Sequence, residues 1–174
     1  MRVTSYGLFW RTDQITWFPG QGNRDEFRLL GRMGKNRPNI RVADFRSQQG
    51  IYILFDAYGP AYVGLAKGDR LGARLREHHS DDLAGRWDRF SWFGFNQVGT
   101  TPDKHGVLSL NQPDRDVTDD TSTTIGDLEA LLIAAMGTKL NKKKMRFDKA
   151  DKWEQIGYWE WETYLARVAP RPAA

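Results

Sequence analysis

The sequence contains no cysteine in its 174 residues. That absence excludes disulfide bonds, thiol catalysis, iron–sulfur clusters and every cysteine-ligated zinc site, so any bound metal must be held by oxygen or histidine ligands. Long apolar runs are also missing: no stretch approaches the roughly 18 residues that a membrane helix needs, and the first residues contain no apolar leader. We therefore expect a cytoplasmic protein with no membrane segment.

Positive charge is scarce in one stretch and abundant at both ends of the chain. Residues 1–50 hold nine basic and four acidic residues, a net charge of +5, and residues 138–174 hold nine and five, a net charge of +4. Residues 101–137 hold two and seven, a net charge of −5. A polyanion could contact the basic ends while the acidic stretch faces water. An ordinary mixed-charge surface explains the same distribution.

Two β-rich runs predict a hairpin that carries two tyrosines. Residues 50–56 and 60–64 are separated by Ala57-Tyr58-Gly59, a three-residue loop with glycine in its third position. The register that pairs the two ends of the runs puts Tyr52 and Tyr62 on the same face of the hairpin. Two phenols would then share one space. Tyrosine is also a favoured strand residue, so packing alone accounts for the same pattern.

Helical spacing follows the hairpin from Asp69 to His79. Leu71 and Leu75 form its inward stripe, while Arg74 and His78 lie one turn apart on an adjacent stripe. Arginine suits bidentate capture of a phosphate, and histidine suits proton transfer. Charged residues at this spacing also form ordinary solvated helix faces.

A second helix is predicted after residue 123, with Thr124 as its cap and Gly137 as its stop. Its expected buried stripe comprises Ile125, Leu128, Leu131, Leu132, Ala135 and Met136. Glu129 lies at the edge of this stripe. A partly desolvated carboxylate needs a cation, which can be an arginine, a lysine or a divalent metal.

Other segments carry weaker signals. Residues 6–10 and 15–18 are predicted to be aromatic strands, 26–33 a helix or a strand, and 89–95 a strand covered on both faces. Residues 97–123 are acidic and rich in turns, which predicts a surface insertion with one strand at 107–110.

Aromatic residues near the N-terminal arginines have two open interpretations. Trp10, Trp17 and Phe18 either stack on nucleic-acid bases while the arginines contact phosphates, or they complete the core.

Several of these motifs, in order, resemble the signature of the GIY-YIG nuclease family. They are Gly50-Ile51-Tyr52, Tyr62-Val63-Gly64, Leu71-x-x-Arg74-Leu75-x-x-His78, a helical Glu129 and Leu140-Asn141-Lys142. The resemblance implies an α/β (α+β) domain over residues 50–145, with a small three-stranded antiparallel sheet flanked by helices. Residues 1–49 would then be a basic, aromatic extension, and residues 146–174 a C-terminal extension and tail.

The resemblance also implies roles for individual residues. Tyr52 and Tyr62 become the paired active-site tyrosines, Arg74 the phosphate clamp, and His78 the histidine one helical turn later. Glu129 becomes the single carboxylate that holds Mg²⁺ or Mn²⁺, and Asn141 supports the site. Basic residues beside these motifs are candidate nucleic-acid contacts: Lys67, Arg70, Lys142, Lys143 and Lys144.

The implied activity is metal-dependent endonucleolytic cleavage of DNA, with RNA left open as a substrate. A free phenol has a pKa near 10. Tyr52 can therefore act as a base only if a cation lowers its pKa or if Tyr62 or His78 takes the proton onward. On this hypothesis, Glu129→Ala abolishes metal-dependent cleavage and leaves DNA binding largely intact. The alternatives are a non-catalytic nucleic-acid-binding module and a subunit of a larger repair, restriction or defence assembly.

Overall fold

The computed structural model describes residues 2–19, 27–35, 39–112, 121–137, 147, 149–157 and 159–160. Within them, nine strands and two helices follow one another along the chain. The elements are β1 (Ser5–Arg11), β2 (Leu30–Met33), β3 (Arg41–Asp44), β4 (Gly50–Phe55), β5 (Pro60–Ala66), α1 (Leu71–Glu77), β6 (Arg89–Gly94), β7 (Gln97–Pro102), β8 (Val107–Asn111), α2 (Thr121–Met136) and β9 (Asp151–Gln155).

All nine strands belong to one mixed sheet, in the order β5-β4-β6-β1-β9-β2-β3-β8-β7. The pairs β1–β9 and β3–β8 are parallel, and the other neighbours are antiparallel. The predicted fold, a small three-stranded antiparallel sheet flanked by helices, is therefore wrong. Strands from the first 49 residues and from 97–111 join the sheet, and β9 lies between β1 and β2.

The predicted hairpin is confirmed, and it forms one end of this sheet. Leu54 pairs with Tyr62 and Tyr52 with Gly64, which is the predicted register, and the register shifts by one residue between Leu54 and Phe55. Strand β6 pairs with both β4 and β1. It is buried from its second residue to its last, as the aromatic run at 89–95 predicts.

The sheet separates two hydrophobic clusters. One cluster contains Tyr52 and Leu54 together with Leu75 of α1. The other contains Ile53 and Phe55 on the opposite face of β4, together with Ala130 of α2. The two helices therefore cover opposite faces of the sheet. Helix α1 buries the stripe formed by Leu71 and Leu75, as predicted.

Two other predictions about the elements are wrong. No strand forms at residues 15–18, which follow the short 3₁₀ turn Thr12–Gln14. Helix α2 ends at Met136, followed by Gly137 with φ of 59°, as predicted. It begins at Thr121 and not after the predicted cap Thr124, and Leu128, Leu132 and Met136 are exposed.

The face of α2 that packs on the sheet combines Leu131 with small and polar side chains. Ala130 is buried in the second cluster, and Ala134 and Ala135 pack against it. Asp127 is buried and accepts a hydrogen bond of 3.0 Å from the backbone N–H of Val3. The described part of the chain contains no helix with the length and apolar character needed to cross a membrane.

Candidate active site

Tyr52 and His78 form a buried hydrogen bond at the centre of the candidate site. Tyr52 lies in the middle of β4 and its side chain turns toward α1, while His78 caps the C-terminal end of that helix. The Tyr52 hydroxyl lies 2.7 Å from Nε2 of His78, and both side chains are almost completely buried. A short hydrogen bond shielded from water is stronger than one on the surface.

Asp81 extends this pair into a chain of three groups. Its Oδ2 lies 2.6 Å from Nδ1 of His78, and its Oδ1 accepts a hydrogen bond of 2.8 Å from the backbone N–H of Leu83. The Leu83 N–H and the imidazole both lower the pKa of the Asp81 carboxyl. The anionic carboxylate therefore holds the proton on Nδ1. In neutral His78, Nε2 is then the acceptor and the Tyr52 hydroxyl donates to it.

Tyr62 completes an aromatic group of three rings. Its ring centroid lies 6.2 Å from that of Tyr52 and 5.2 Å from that of His78, and the latter pair meets edge to face. Tyr62 is half-buried, whereas Tyr52 is fully buried. The two phenols therefore share one space, as the hairpin register predicts, with Tyr62 on the outer side.

Arg74 lies beside Tyr52 and is held by a carboxylate. Burial raises the pKa of Tyr52, and the nearby guanidinium charge partly opposes that rise. Arg74 also forms an ion pair with Glu77 one turn along α1. Glu77 also accepts a hydrogen bond of 2.8 Å from Arg70. One carboxylate thus bridges two arginines. This is the arrangement that an incoming phosphate group could replace, because its oxygens accept the same hydrogen bonds.

Burial raises the pKa of Tyr52 to about 12, Tyr62 adds to the increase, and Arg74 opposes it. Since the folded chain binds this proton more tightly than the unfolded chain, we expect the free energy of unfolding to fall as the pH rises from 10 to 12. Tyr52 accounts for at most about 2.7 kcal/mol of this loss. Urea unfolding at pH 9 and pH 11.5 measures it. In Tyr52→Phe the loss should shrink, and an equal loss in both chains would contradict the assignment.

Gly64 makes room for the Tyr52 ring. A Cβ at position 64 would lie 2.2 Å from Cζ of Tyr52 and 2.3 Å from its hydroxyl oxygen, both closer than any real contact. Gly50, at the start of β4, lies equally close to the backbone of β6. A Cβ at position 50 would lie 1.9 Å from the carbonyl oxygen of Phe93. The glycines of both motifs are therefore explained by close approach.

We expect Gly64→Ala to displace the Tyr52 ring and break its hydrogen bond to His78. Overpacking of a filled site costs about 1–3 kcal/mol of stability. Thermal unfolding and the near-ultraviolet circular dichroism of the tyrosines measure the two effects. Gly59→Ala is the control for glycine removal, because nothing lies within 4 Å of a Cβ there, although its φ of 142° adds strain. A Gly64→Ala chain as stable as wild type would contradict the close packing.

Among the other predicted site residues, Arg70 is linked to Arg74 through Glu77, and Glu129 and Lys67 do not join this group. Glu129 is exposed on α2, and the buried residues of that helix belong to the cluster on the opposite face of the sheet from Tyr52. Lys67 and Arg70 are exposed in the loop before α1. Asn141, Lys142, Lys143 and Lys144 lie outside the described residues.

The side chains near the tyrosines do not match a metal site. Among the described residues, no three His, Asp or Glu side chains are grouped so that they could hold a metal ion. Next to Tyr52, the carboxylate of Glu77 is paired with two arginines and that of Asp81 with His78. The predicted Mg²⁺ or Mn²⁺ site on Glu129 stays a prediction, and it is not part of the geometry at the tyrosines.

Two residues of the site were missed by sequence reasoning. Glu77 and Asp81 lie three residues after Arg74 and His78, respectively, which is a spacing at which helical neighbours touch. That spacing was a usable signal. Asp81, however, follows the end of α1, and its approach to His78 depends on the turn after the helix.

Comparison with family models, with curated proteins and with solved structures finds no match to this chain. The geometry of the site is therefore the basis for any functional assignment.

Proposed function

We propose that the chain is an endonuclease that hydrolyses phosphodiester bonds in DNA at the site built by Tyr52, Tyr62, Arg74 and His78. The observation that carries this proposal is the chain of hydrogen bonds from Asp81 through His78 to Tyr52, next to an arginine. A phenol that is only a packing residue needs one hydrogen-bond partner. It does not need a partner whose other nitrogen is held by a carboxylate, as in proton-transfer sites.

The chain of hydrogen bonds supplies a route for the proton of the attacking water. The Tyr52 oxygen accepts that proton while its own proton passes to Nε2 of His78, and the Asp81 carboxylate stabilises the imidazolium that results. The water oxygen forms a bond to phosphorus, and the bond to the 3′ oxygen breaks with its electron pair on that oxygen. The 3′ alkoxide takes a proton from solvent to become the 3′ hydroxyl, and His78 returns its extra proton to solvent. Because the phenol keeps one proton throughout, its raised pKa does not obstruct the transfer.

The same phosphate is the ligand for Arg74. In the free chain this guanidinium is paired with Glu77 and lies near the buried Tyr52 hydroxyl. A phosphate that draws Arg74 away from Glu77 gains a charge-assisted hydrogen bond and uncovers Tyr52 to water. Arg74 would then stabilise the charge that develops on the phosphoryl oxygens.

A divalent metal is part of this proposal through the family resemblance alone. Bound Mg²⁺ or Mn²⁺ would stabilise the leaving 3′ oxygen. Glu129, its predicted ligand, is not among the residues gathered around Tyr52. The predicted cytoplasmic location belongs to the same proposal.

The test is to incubate the purified chain with single-stranded, duplex and branched DNA and with RNA, each with Mg²⁺, with Mn²⁺ or with EDTA. We expect cleavage of at least one DNA substrate, yielding 5′-phosphate and 3′-hydroxyl ends. The test variant is Arg74→Gln, which keeps a polar, hydrogen-bonding but shorter side chain and removes its charge. Cleavage by Arg74→Gln at the wild-type rate, or no cleavage under any condition, would overturn the proposal.

A non-catalytic nucleic-acid-binding module is the second candidate, and one observation favours it. Tyr52 is fully buried and Arg74 is already paired inside the chain, so the proton route is closed in the free protein. A binding module would bind the same DNA panel without cutting it. Gel-shift measurements made alongside the cleavage assay separate the two functions.

A further inference from the structure

The N-terminal aromatic residues divide into core residues and one surface residue. Trp10 and Trp17 are buried in the same cluster as Tyr52. Phe18, by contrast, is 63% exposed. Of the two interpretations of these aromatic residues, core packing holds for the tryptophans, and Phe18 needs another explanation. An aromatic ring exposed to this extent gains little from folding, because most of its apolar surface stays in water.

Phe18 is held next to a cation. The guanidinium carbon of Arg76 lies 5.2 Å from the centroid of the Phe18 ring and 5.0 Å from that of the buried Phe27. The ring of His79 approaches Phe18 edge to face at 6.1 Å. These contacts restrict the exposed ring. A restricted ring loses little conformational entropy when a ligand stacks on it.

Arg76, the cation of this group, lies on α1, on the flank opposite Arg74. At 100° per residue, Arg76 lies about 200° around the helix from Arg74, and the buried Leu75 lies between them. An α-helix with its side chains is about 10–12 Å across. A short nucleic-acid strand crossing α1 can therefore reach both flanks.

We propose that Phe18 and Arg76 form a stacking platform for an unpaired base of the nucleic acid whose phosphate Arg74 binds. An exposed ring with an adjacent guanidinium is the chemistry that proteins use for single strands, because every base has a π-face and the cation favours the neighbouring phosphate. A base inside a duplex has both faces occupied by its neighbours. The substrate class is thus DNA that is single-stranded, frayed or branched beside the scissile phosphate. This inference rests on the proposed nuclease function.

The experiment measures binding in EDTA with the full chain carrying Tyr52→Phe, so that no strand is cut. The probes are a single-stranded oligonucleotide that contains 2-aminopurine and a duplex of the same sequence. We expect Phe18→Ala to weaken single-strand binding by about 5- to 100-fold, the range for loss of one base–aromatic stack. It should also relieve the fluorescence quenching of the stacked 2-aminopurine. Phe18→Trp should restore both.

The matched control is Tyr58→Ala, which removes an aromatic side chain that is 99% exposed at the turn of the β4–β5 hairpin. We expect it to change neither affinity nor quenching. An equal loss on single-stranded and duplex probes in Phe18→Ala, or no loss on either, would overturn the platform.

The two proposals fail in different ways. Binding that depends on Phe18 in a chain that cuts nothing would support the platform and overturn the nuclease function. Cleavage that depends on Tyr52, with single-strand binding unaffected by Phe18→Ala, would do the reverse.

Discussion

Replacing His78 by alanine should lower the rate of DNA cleavage by about 10²- to 10⁴-fold, the range for loss of a positioned proton acceptor. In the free chain its Nε2 accepts from the Tyr52 hydroxyl at 2.7 Å and no solvent reaches it. Without the imidazole, the phenol loses the proton acceptor that Asp81 holds in place. Tyr52→Phe should cause a loss in the same range for the complementary reason. Single-turnover cleavage with saturating enzyme measures the chemical step directly.

The double variant sharpens this test. If Tyr52 and His78 act as one route, then Tyr52→Phe combined with His78→Ala should be no slower than the slower single variant, because either change already closes the route. Multiplied effects would mean that the two residues act separately.

His79→Ala is the matched control for the loss of a histidine at the end of α1. His79 packs against Trp17 and Trp87 with ring centroids 4.5 Å and 4.9 Å away, and it does not contact Tyr52. Because His79 also contacts Phe18, its removal should weaken single-strand binding and lower thermal stability. At saturating enzyme, the cleavage rate per folded molecule should stay nearly unchanged. A loss of rate in His79→Ala as large as that in His78→Ala would contradict the assigned route.

The contacts that could be predicted correctly from the sequence are those that the geometry of one hairpin or one helix determines. Tyr52 and Tyr62 share a face because strand side chains alternate with a period of two, and the loop between them is short enough to fix the register. Arg74 and His78 point the same way because they are one helical turn apart. Both arrangements depend on residues close together in the sequence, so the spacing of the residues is enough to predict them.

The nine-stranded sheet depends on pairings that leave no such local trace. Strand β9 pairs in parallel with β1, so that Ser5 lies opposite Asp151. Both strands are short, and either could have paired with several others or lain at an edge. Their position is decided by burial, since Trp153 of β9 packs against Phe45 in the core. Sequence patterns do not encode which distant strand supplies the partner.

The position of Glu129 could not be predicted because α2 is apolar on more than one side. Leu131 and Ala135 of the expected stripe do pack on the sheet, together with Ala130 and Ala134, whereas Leu128, Leu132 and Met136 form a second apolar face that is exposed. Small residues let the helix approach closely, and Asp127 anchors it to Val3. With two apolar faces, helical periodicity cannot choose the buried one.

Comparing the cleavage rates of Asp81→Asn and Glu129→Gln shows which of the two carboxylates the cleavage reaction requires. The geometry predicts that Asp81→Asn slows cleavage by about 10- to 100-fold, the range typical when an outer partner of a functional histidine is lost. Asparagine can present either its oxygen or its amino group to Nδ1 of His78, so the proton on that nitrogen is no longer fixed. Nε2 of His78 then carries the proton part of the time, and it cannot accept a hydrogen bond from the Tyr52 hydroxyl when it does.

Because Asp81 acts through His78, its variant needs a readout that a purely structural role would not change. We expect Asp81→Asn to lower kcat with little change in KM. Asp81→Glu should recover part of the rate. Since Asp81 is partly exposed, a loss of global stability large enough to explain the rate would be a separate and measurable result.

Glu129→Gln tests the opposite expectation under the same conditions. The family resemblance makes Glu129 the metal ligand, so its loss should either abolish cleavage in Mg²⁺ or raise the Mg²⁺ concentration required for half-maximal rate. The geometry around Tyr52 predicts no change in either quantity, because the buried face of α2 belongs to the cluster across the sheet. Loss of Mg²⁺-dependent cleavage in Glu129→Gln with wild-type rates in Asp81→Asn would assign the chemistry to Glu129. The reverse outcome would assign it to the route through Asp81, His78 and Tyr52.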